Sequence, residues 1–184
     1  MTLPLPSNDP AAAALAAISH SFHSYKTLAD RALAQLSPAD WLAAPSAYGN
    51  SIAVIVQHMV GNLRSRFTDF LTTDGEKPTR NRDQEFEQPA TAAELPAQWE
   101  AAWHILFELL DGLQPTDLLR TVYIRGEAHT VLGALQRQVA HYAYHVGQIV
   151  QLAREQRGAE WQTLSIARGQ SENFNARMQA QANQ

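Results

Sequence analysis

The sequence contains no cysteine. Disulfides, thiolate zinc sites and cysteine nucleophiles are thereby excluded, and the absence suits a reducing compartment. Positive charge is also scarce. Fourteen Lys and Arg stand against 18 Asp and Glu, a formal net charge of −4, so the electrostatic footprint of a nucleic-acid-binding chain is missing. No apolar run approaches the ~20 residues that span a bilayer. Residues 1–10 lack the basic start and apolar stretch of a secretory signal. The expectation is a cytoplasmic protein with neither nucleic acid nor membrane as partner.

What remains is an ordinary globular composition. Hydrophobic residues make up 45% and charged residues 17% of 184, enough to bury a sizeable core in one domain spanning 1–184. Residues 1–9 read as a flexible, proline-containing leader. Asp9 then serves as N-cap and Pro10 as first helical position. Leu15, Ile18, Phe22, Tyr25, Ala29, Ala32 and Leu36 recur at spacings of three and four, the pattern of a long amphipathic helix. His20 and His23 lie off that stripe, and a solvated reading is favoured for both. Ser37-Pro38 ends the helix, and a connector follows over 38–49.

Asn50 or Ser51 caps a second helix over about 51–72, with Ile52, Ile55, Val56, Met59, Leu63, Phe67 and Phe70 on its apolar side. A polar connector over 73–90 carries the charge cluster 80–87. A structureless connection of that length is either a functional loop or a mobile, solvated one. A third helix begins near Leu95 and carries Trp99, Ala102, Leu106, Leu109 and Leu113, leaving His104 exposed. Residues 119–127 read as a short extended segment or a hairpin arm. A fourth helix runs from near Thr130 to Gln156 and stops at Gly158. Ala140, Ala143 and Gly147 on one of its flanks suggest the close approach of a neighbouring helix. The tail contributes a turn and a short helix. Four long amphipathic helices in one chain imply an all-α helical bundle.

The chemistry concentrates on the fourth helix. His141 and His145 are one turn apart on the same side, flanked by Gln138 and Gln148. Imidazoles suit borderline divalent metals, and a pair at i, i+4 brings two ring nitrogens to one ion. A third ligand must come from another helix. His58 borders the buried seam of the second helix, where a bundle-core ligand belongs. Gln148 and Asn62, within a turn of these histidines, are candidates to hold the second ring nitrogens or a bound water. Three neutral imidazoles leave a coordination position open, as catalytic rather than structural sites do.

Several segments resemble the DinB/YfiT-like superfamily, in particular one of its uncharacterised bacterial branches. They are 51–62 around Gln57-His58-Met59, the loop from Asp74-Gly75-Glu76 to Gln84-Glu85-Phe86, Tyr123-Ile124-Arg125-Gly126-Glu127, His141-Tyr142-Ala143-Tyr144-His145-Val146-Gly147-Gln148, and the tail from Leu164 to Gly169. The likeness covers most of the chain beyond about residue 50. It implies a four-helix bundle with long connections and a short C-terminal extension, often a homodimer. The family's metal ligands map onto His58, His141 and His145, with nickel or zinc as the expected ion. Relatives include thiol S-transferases and a thiol-dependent isomerase, which implies a low-molecular-weight thiol as co-substrate. Arg82, in the charged loop, and Arg125 would then wall a substrate pocket or anchor an anion.

Two function classes follow. One is a metalloenzyme acting on a small molecule, either a thiol transferase or a hydrolase using metal-activated water. The other is a non-catalytic helical stress or interaction protein with a structural or vestigial metal site.

Overall fold

The computed structural model describes residues 8–182, so the leader expected over 1–9 falls mostly outside the described residues. Among these residues the chain is mostly helical, with six α-helices and one small two-stranded sheet. Helix α1, Pro10–Leu33, starts where Asp9 accepts a hydrogen bond from the Ala11 amide, a side-chain cap for an otherwise orphaned donor. Its buried residues include Ile18, Phe22, Ala29 and Ala32. The connector expected over 38–49 contains a five-residue helix, α2 (Pro38–Leu42), begun by a capping box between Ser37 and Asp40. Helix α1 thus ends at Leu33, short of the Ser37-Pro38 pair expected to stop it, and that pair starts α2 instead.

Helix α3, Ile52–Phe67, ends earlier than its apolar pattern suggests. Thr68 leaves the helical region and Asp69 takes φ of +50°, so Phe70 reaches the core from a turn. Helix α4, Leu95–Gly112, places Pro96 in the first turn, where a missing amide hydrogen costs nothing. Leu110 as well as Leu113 is buried, while Leu109 is half-buried.

Strands β1, Thr121–Ile124, and β2, Glu127–Thr130, pair antiparallel with Ile124 opposite Glu127. Of the two readings open for this segment, the hairpin is the one found. Its turn residues Arg125 and Gly126 both have positive φ, +56° and +75°, the signature of the primed two-residue turns that match strand twist. Asp74 accepts from both turn amides, at 2.9 and 2.8 Å. That clamp ties the hairpin to the 73–90 loop.

Helix α5, Val131–Arg157, is capped by Thr130 and stopped by Gly158 at φ +50°. It packs along α1 and meets α3, while α3 lies along α4. On the flank of Ala140, Ala143 and Gly147, Ala143 is half-buried but Ala140 and Gly147 are exposed, and a Cβ added at Gly147 would meet nothing within 4 Å. The helix contact expected there is absent among the described residues. The exposed reading of His20 and His23 is also overturned. Both are half-buried. His23 stacks on Phe107 with ring centroids 4.1 Å apart and donates to the Ser19 carbonyl. An apolar ring from α4 covers what periodicity assigned to solvent.

The four long helices share one core. Its centre is aromatic: Phe22 meets Phe67 edge-on at 6.3 Å and Tyr142 at 5.9 Å. Phe22→Ala should lower unfolding free energy by about 3–5 kcal/mol in urea titration. Met178→Ala, on the exposed short helix α6 (Ser171–Ala182), should stay within about 0.5 kcal/mol of wild type.

Candidate metal centre

Two capped helices set the geometry. Ser51 begins α3 by accepting from the Val54 amide. Its hydroxyl donates to Gln88 at 2.8 Å, so the cap also pins the end of the 73–90 loop. With both helices seated on the common core, His58 on α3 faces His141 and His145 on α5. The Nε2 atoms of His58 and His141 are 3.4 Å apart, and those of His141 and His145 are 3.1 Å apart. One ligand atom from each ring lies within 4.8 Å of the other two. Tetrahedral zinc or nickel at ~2.0–2.1 Å from each nitrogen separates its ligands by about 3.3 Å. The two measured edges therefore fit such a site. His58 and His145 are only 4% and 9% exposed, and His141 is half-buried.

The rear nitrogens decide what the front ones present. His58 Nδ1 donates to Glu85 Oε2 at 2.9 Å, and His145 Nδ1 donates to Gln148 Oε1 at 2.8 Å. A carboxylate and an amide oxygen can only accept, so each ring carries its proton behind and a bare lone pair in front. His141 Nδ1 is buried with no partner among the described residues. Even with a proton on its Nε2, His141 could satisfy just one of the two facing lone pairs. A cation satisfies all three. Burial, together with the neighbouring His145, His58, Arg66 and Arg80, lowers the His141 pKa from 6.5 to about 3. Burial also lowers that of His145, chiefly against the Gln148 hydrogen bond. Both rings are therefore held neutral, the form that binds metal.

Glu85 was not singled out by residue spacing, yet it orients His58. Burial is the largest influence on its carboxyl and acts upward. The Arg80 and His58 hydrogen bonds and charges outweigh it, and the pKa ends below the ordinary value. Arg80 grips both carboxylate oxygens at 2.7 Å, the bidentate geometry of strong charge-assisted pairs. The loop that delivers Glu85 is fastened to α3 by Gln57, whose amide donates to the carbonyls of Gln84, Glu85 and Glu87. Gly61 allows the approach. A Cβ there would overlap Glu85 Oε1 and come within 2.6 Å of its carboxyl carbon. Of the two readings open for the 73–90 segment, this part is docked and ordered around the histidines. The signal available in the sequence was one of three acids in a charge cluster, five residues after an arginine.

The remaining candidates have separate places. Gln148 holds His145, as described. Asn62, expected to touch an imidazole or a bound water, instead accepts from Gln138 at 2.6 Å and from the Tyr142 hydroxyl at 3.0 Å. It fastens α3 to α5 beneath the histidines. Arg82 lies over the Phe86 ring at 5.0 Å, and that ring packs on His58 at 4.7 Å. Arg125 pairs with Glu76. Asn62, Arg82 and Arg125, with His58 and His141, all line a cavity of about 180 Å³. A larger apolar cavity of about 710 Å³, between Leu33, Trp41, Ala92 and Trp99, touches none of the histidines. His104 is exposed beside Glu108, and His129 on β2 lies next to Glu127.

The model of a family described as a protein of unknown function, DUF1572, matches residues 9–170. The chain belongs to this family. No curated protein matches it. The DUF1572 match contains all three converging histidines, Glu85, Gln148 and every arginine of the cavity. It ends before helix α6, so the candidate centre lies wholly within the family's own segment.

Elemental analysis of tag-free protein should find a divalent metal, and alanine at 58, 141 or 145 should lower its content tenfold or more. His104→Ala should leave the content unchanged. Glu85→Gln should weaken metal binding by about 10–100-fold, and Gly61→Ala should weaken it in the same direction. A Glu85→Gln affinity equal to wild type would remove the carboxylate from the site. In chelated protein the depressed pKa values of His141 and His145 favour the fold fully above pH 6.5. That contribution is lost as pH falls toward 3, because the unfolded chain takes up the protons first. Urea midpoints should accordingly fall less steeply with acid in His141→Ala than in wild type.

Proposed function

We propose that the chain is a metal-dependent enzyme of the DinB/YfiT-like superfamily, acting on a small molecule at a three-histidine centre. The reading treats the whole chain as one domain and its four long helices as that superfamily's four-helix bundle. The observation that carries it is the convergence of His58, His141 and His145, two of them with their proton fixed on the rear nitrogen. This donor set suits nickel or zinc better than magnesium or calcium, which prefer oxygen ligands. A divalent ion held there, with a position left open, would lower the pKa of a thiol or water occupying that position.

The chain's own residues supply the rest. Glu85 and Gln148 keep the rings of His58 and His145 turned, with their rear nitrogens as donors. Phe86 packs on one side of His58 and limits water there. Gln138, Asn62 and Tyr142 form a buried polar link that sets the spacing of α3 and α5. The cavity touching His58 and His141 gives a substrate its approach. At about 180 Å³ it is smaller than the roughly 300–1,000 Å³ of pockets for drug-sized ligands. It therefore suits a small substrate, or the reactive end of a longer one. An approach of this kind supports catalysis over a purely stabilising metal.

Among the reactions open to such a centre, thiol transfer fits the resemblance of the histidine and loop motifs. Metal-loaded protein should consume bacillithiol or glutathione one-for-one with an electrophile, and chelation or His58→Ala should abolish this. Turnover that continues without thiol would assign the chemistry to water instead. No turnover on either panel from fully metallated protein would leave a non-catalytic metal protein.

A further inference from the structure

We propose that the cavity beside the histidines binds a small molecule bearing an oxyanion, a carboxylate or a phosphate, with the buried Arg66 as its anchor. Five arginines from four parts of the fold line this one cavity. Arg66 comes from α3, Arg80 and Arg82 from the loop, Arg125 from the hairpin turn and Arg137 from α5. The chain as a whole is acidic, at −4, so the local charge runs opposite to the global one. Such focused potential in a walled cleft attracts ligands of the opposite sign.

The carboxylates present do not neutralise these arginines. Glu85 is committed to Arg80 and His58. Glu76 is shared among three guanidiniums, at 3.2 Å from Arg80, 3.3 Å from Arg125 and 3.7 Å from Arg66. Arg82 and Arg137 have no ion pair among the described residues. Five guanidiniums against two carboxylates leave positive charge in excess.

Arg66 is the decisive residue. It is 3% exposed, and its Nε and Nη1 find no hydrogen-bond partner among the described residues. A buried guanidinium that lacks its hydrogen bonds is costly, and natural folds keep such groups where a partner arrives. Burial pulls its pKa below the ordinary value, as expected for a cation short of anions. The planar fork of guanidinium donors matches carboxylate and phosphate oxygens in pairs. Buried Arg66 and Arg80 make the inner wall, and exposed Arg82, Arg125 and Arg137 make the mouth. The turn clamped by Asp74 fixes the backbone that carries Arg125.

The position of this pocket next to the catalytic centre rests on the function proposed above, but anion binding itself does not. The test is isothermal titration of the full chain, as purified and again after chelation, with inorganic phosphate, malonate and neutral glycerol at low ionic strength. Phosphate or malonate should bind both preparations while glycerol binds neither, and the tighter of the two names the oxyanion class. Arg137→Gln, a mouth substitution outside the packed core, should weaken that binding about tenfold, and Arg66→Leu should abolish it. Arg66→Lys, which keeps the charge but not the fork, should fall between wild type and Arg66→Leu. Absence of anion binding, or equal affinity in wild type and Arg137→Gln, overturns the proposal. Anion binding by a protein that retains no metal would uphold the pocket and remove the metalloenzyme reading, and the converse result would do the reverse.

Discussion

Two hydrogen bonds made behind the imidazoles govern what the front of the site can be. Because Glu85 and Gln148 take the Nδ1 protons of His58 and His145, both Nε2 lone pairs are aimed at His141. Lone pairs brought this close repel unless a proton or a metal lies between them. The fold accepts that arrangement between largely buried rings, where an unsatisfied polar atom is costly. A cluster of histidines selected only for packing would be expected to pair donors with acceptors. Here two of the three rings spend their donors at the rear, on Glu85 and Gln148, and the third has no rear partner among the described residues.

The long loop makes sense as a brace for one of those bonds. Gln57 holds its backbone, Ser51 and Gln88 hold its far end, and Arg80 holds both oxygens of the Glu85 carboxylate, sharing Oε2 with His58. From Arg80 the ionic contacts continue to Glu76, and from Glu76 to Arg66 and Arg125. The orientation of one metal-facing ring is therefore continuous with the charge lining of the cavity. A substitution anywhere along this chain of contacts is expected to register at both, since neighbours in one network do not act independently.

Much of this was legible in the sequence, for identifiable reasons. The cap at Asp9, a cap at Asn50 or Ser51 (Ser51 in the structure), a helix start near Thr130 and the stop at Gly158 are local chemistry, set by residues within a turn of each other. The nearness of His141 to His145 is fixed by helix periodicity, and His58 borders a stripe whose burial is assured. What stayed hidden depended on tertiary contact. Glu85 is one of several acids in a polar loop, and nothing local separates it from Glu87. Its role arises only because Gly61, on a different element, leaves room for it. Arg66 likewise sits on a helix whose apolar pattern gives no reason to bury it. His23 was misread because its cover, Phe107, comes from α4.

Charge ties the two halves of the site together. Arg66 and Arg80 contribute, after burial and the two other histidines, to holding His141 neutral at physiological pH, which favours metal binding by removing competition from protons. The same arginines oppose the arrival of a dication, since three neutral imidazoles bring no negative charge to offset it. An oxyanion seated among the guanidiniums would offset their repulsion of the dication. By linkage the preference must then run in both directions: a ligand bound more tightly when the ion is present holds the ion more tightly in return. Surplus arginine beside neutral donors thus favours an anion by itself, and an anion seated there would offset the charge of an ion held by the histidines.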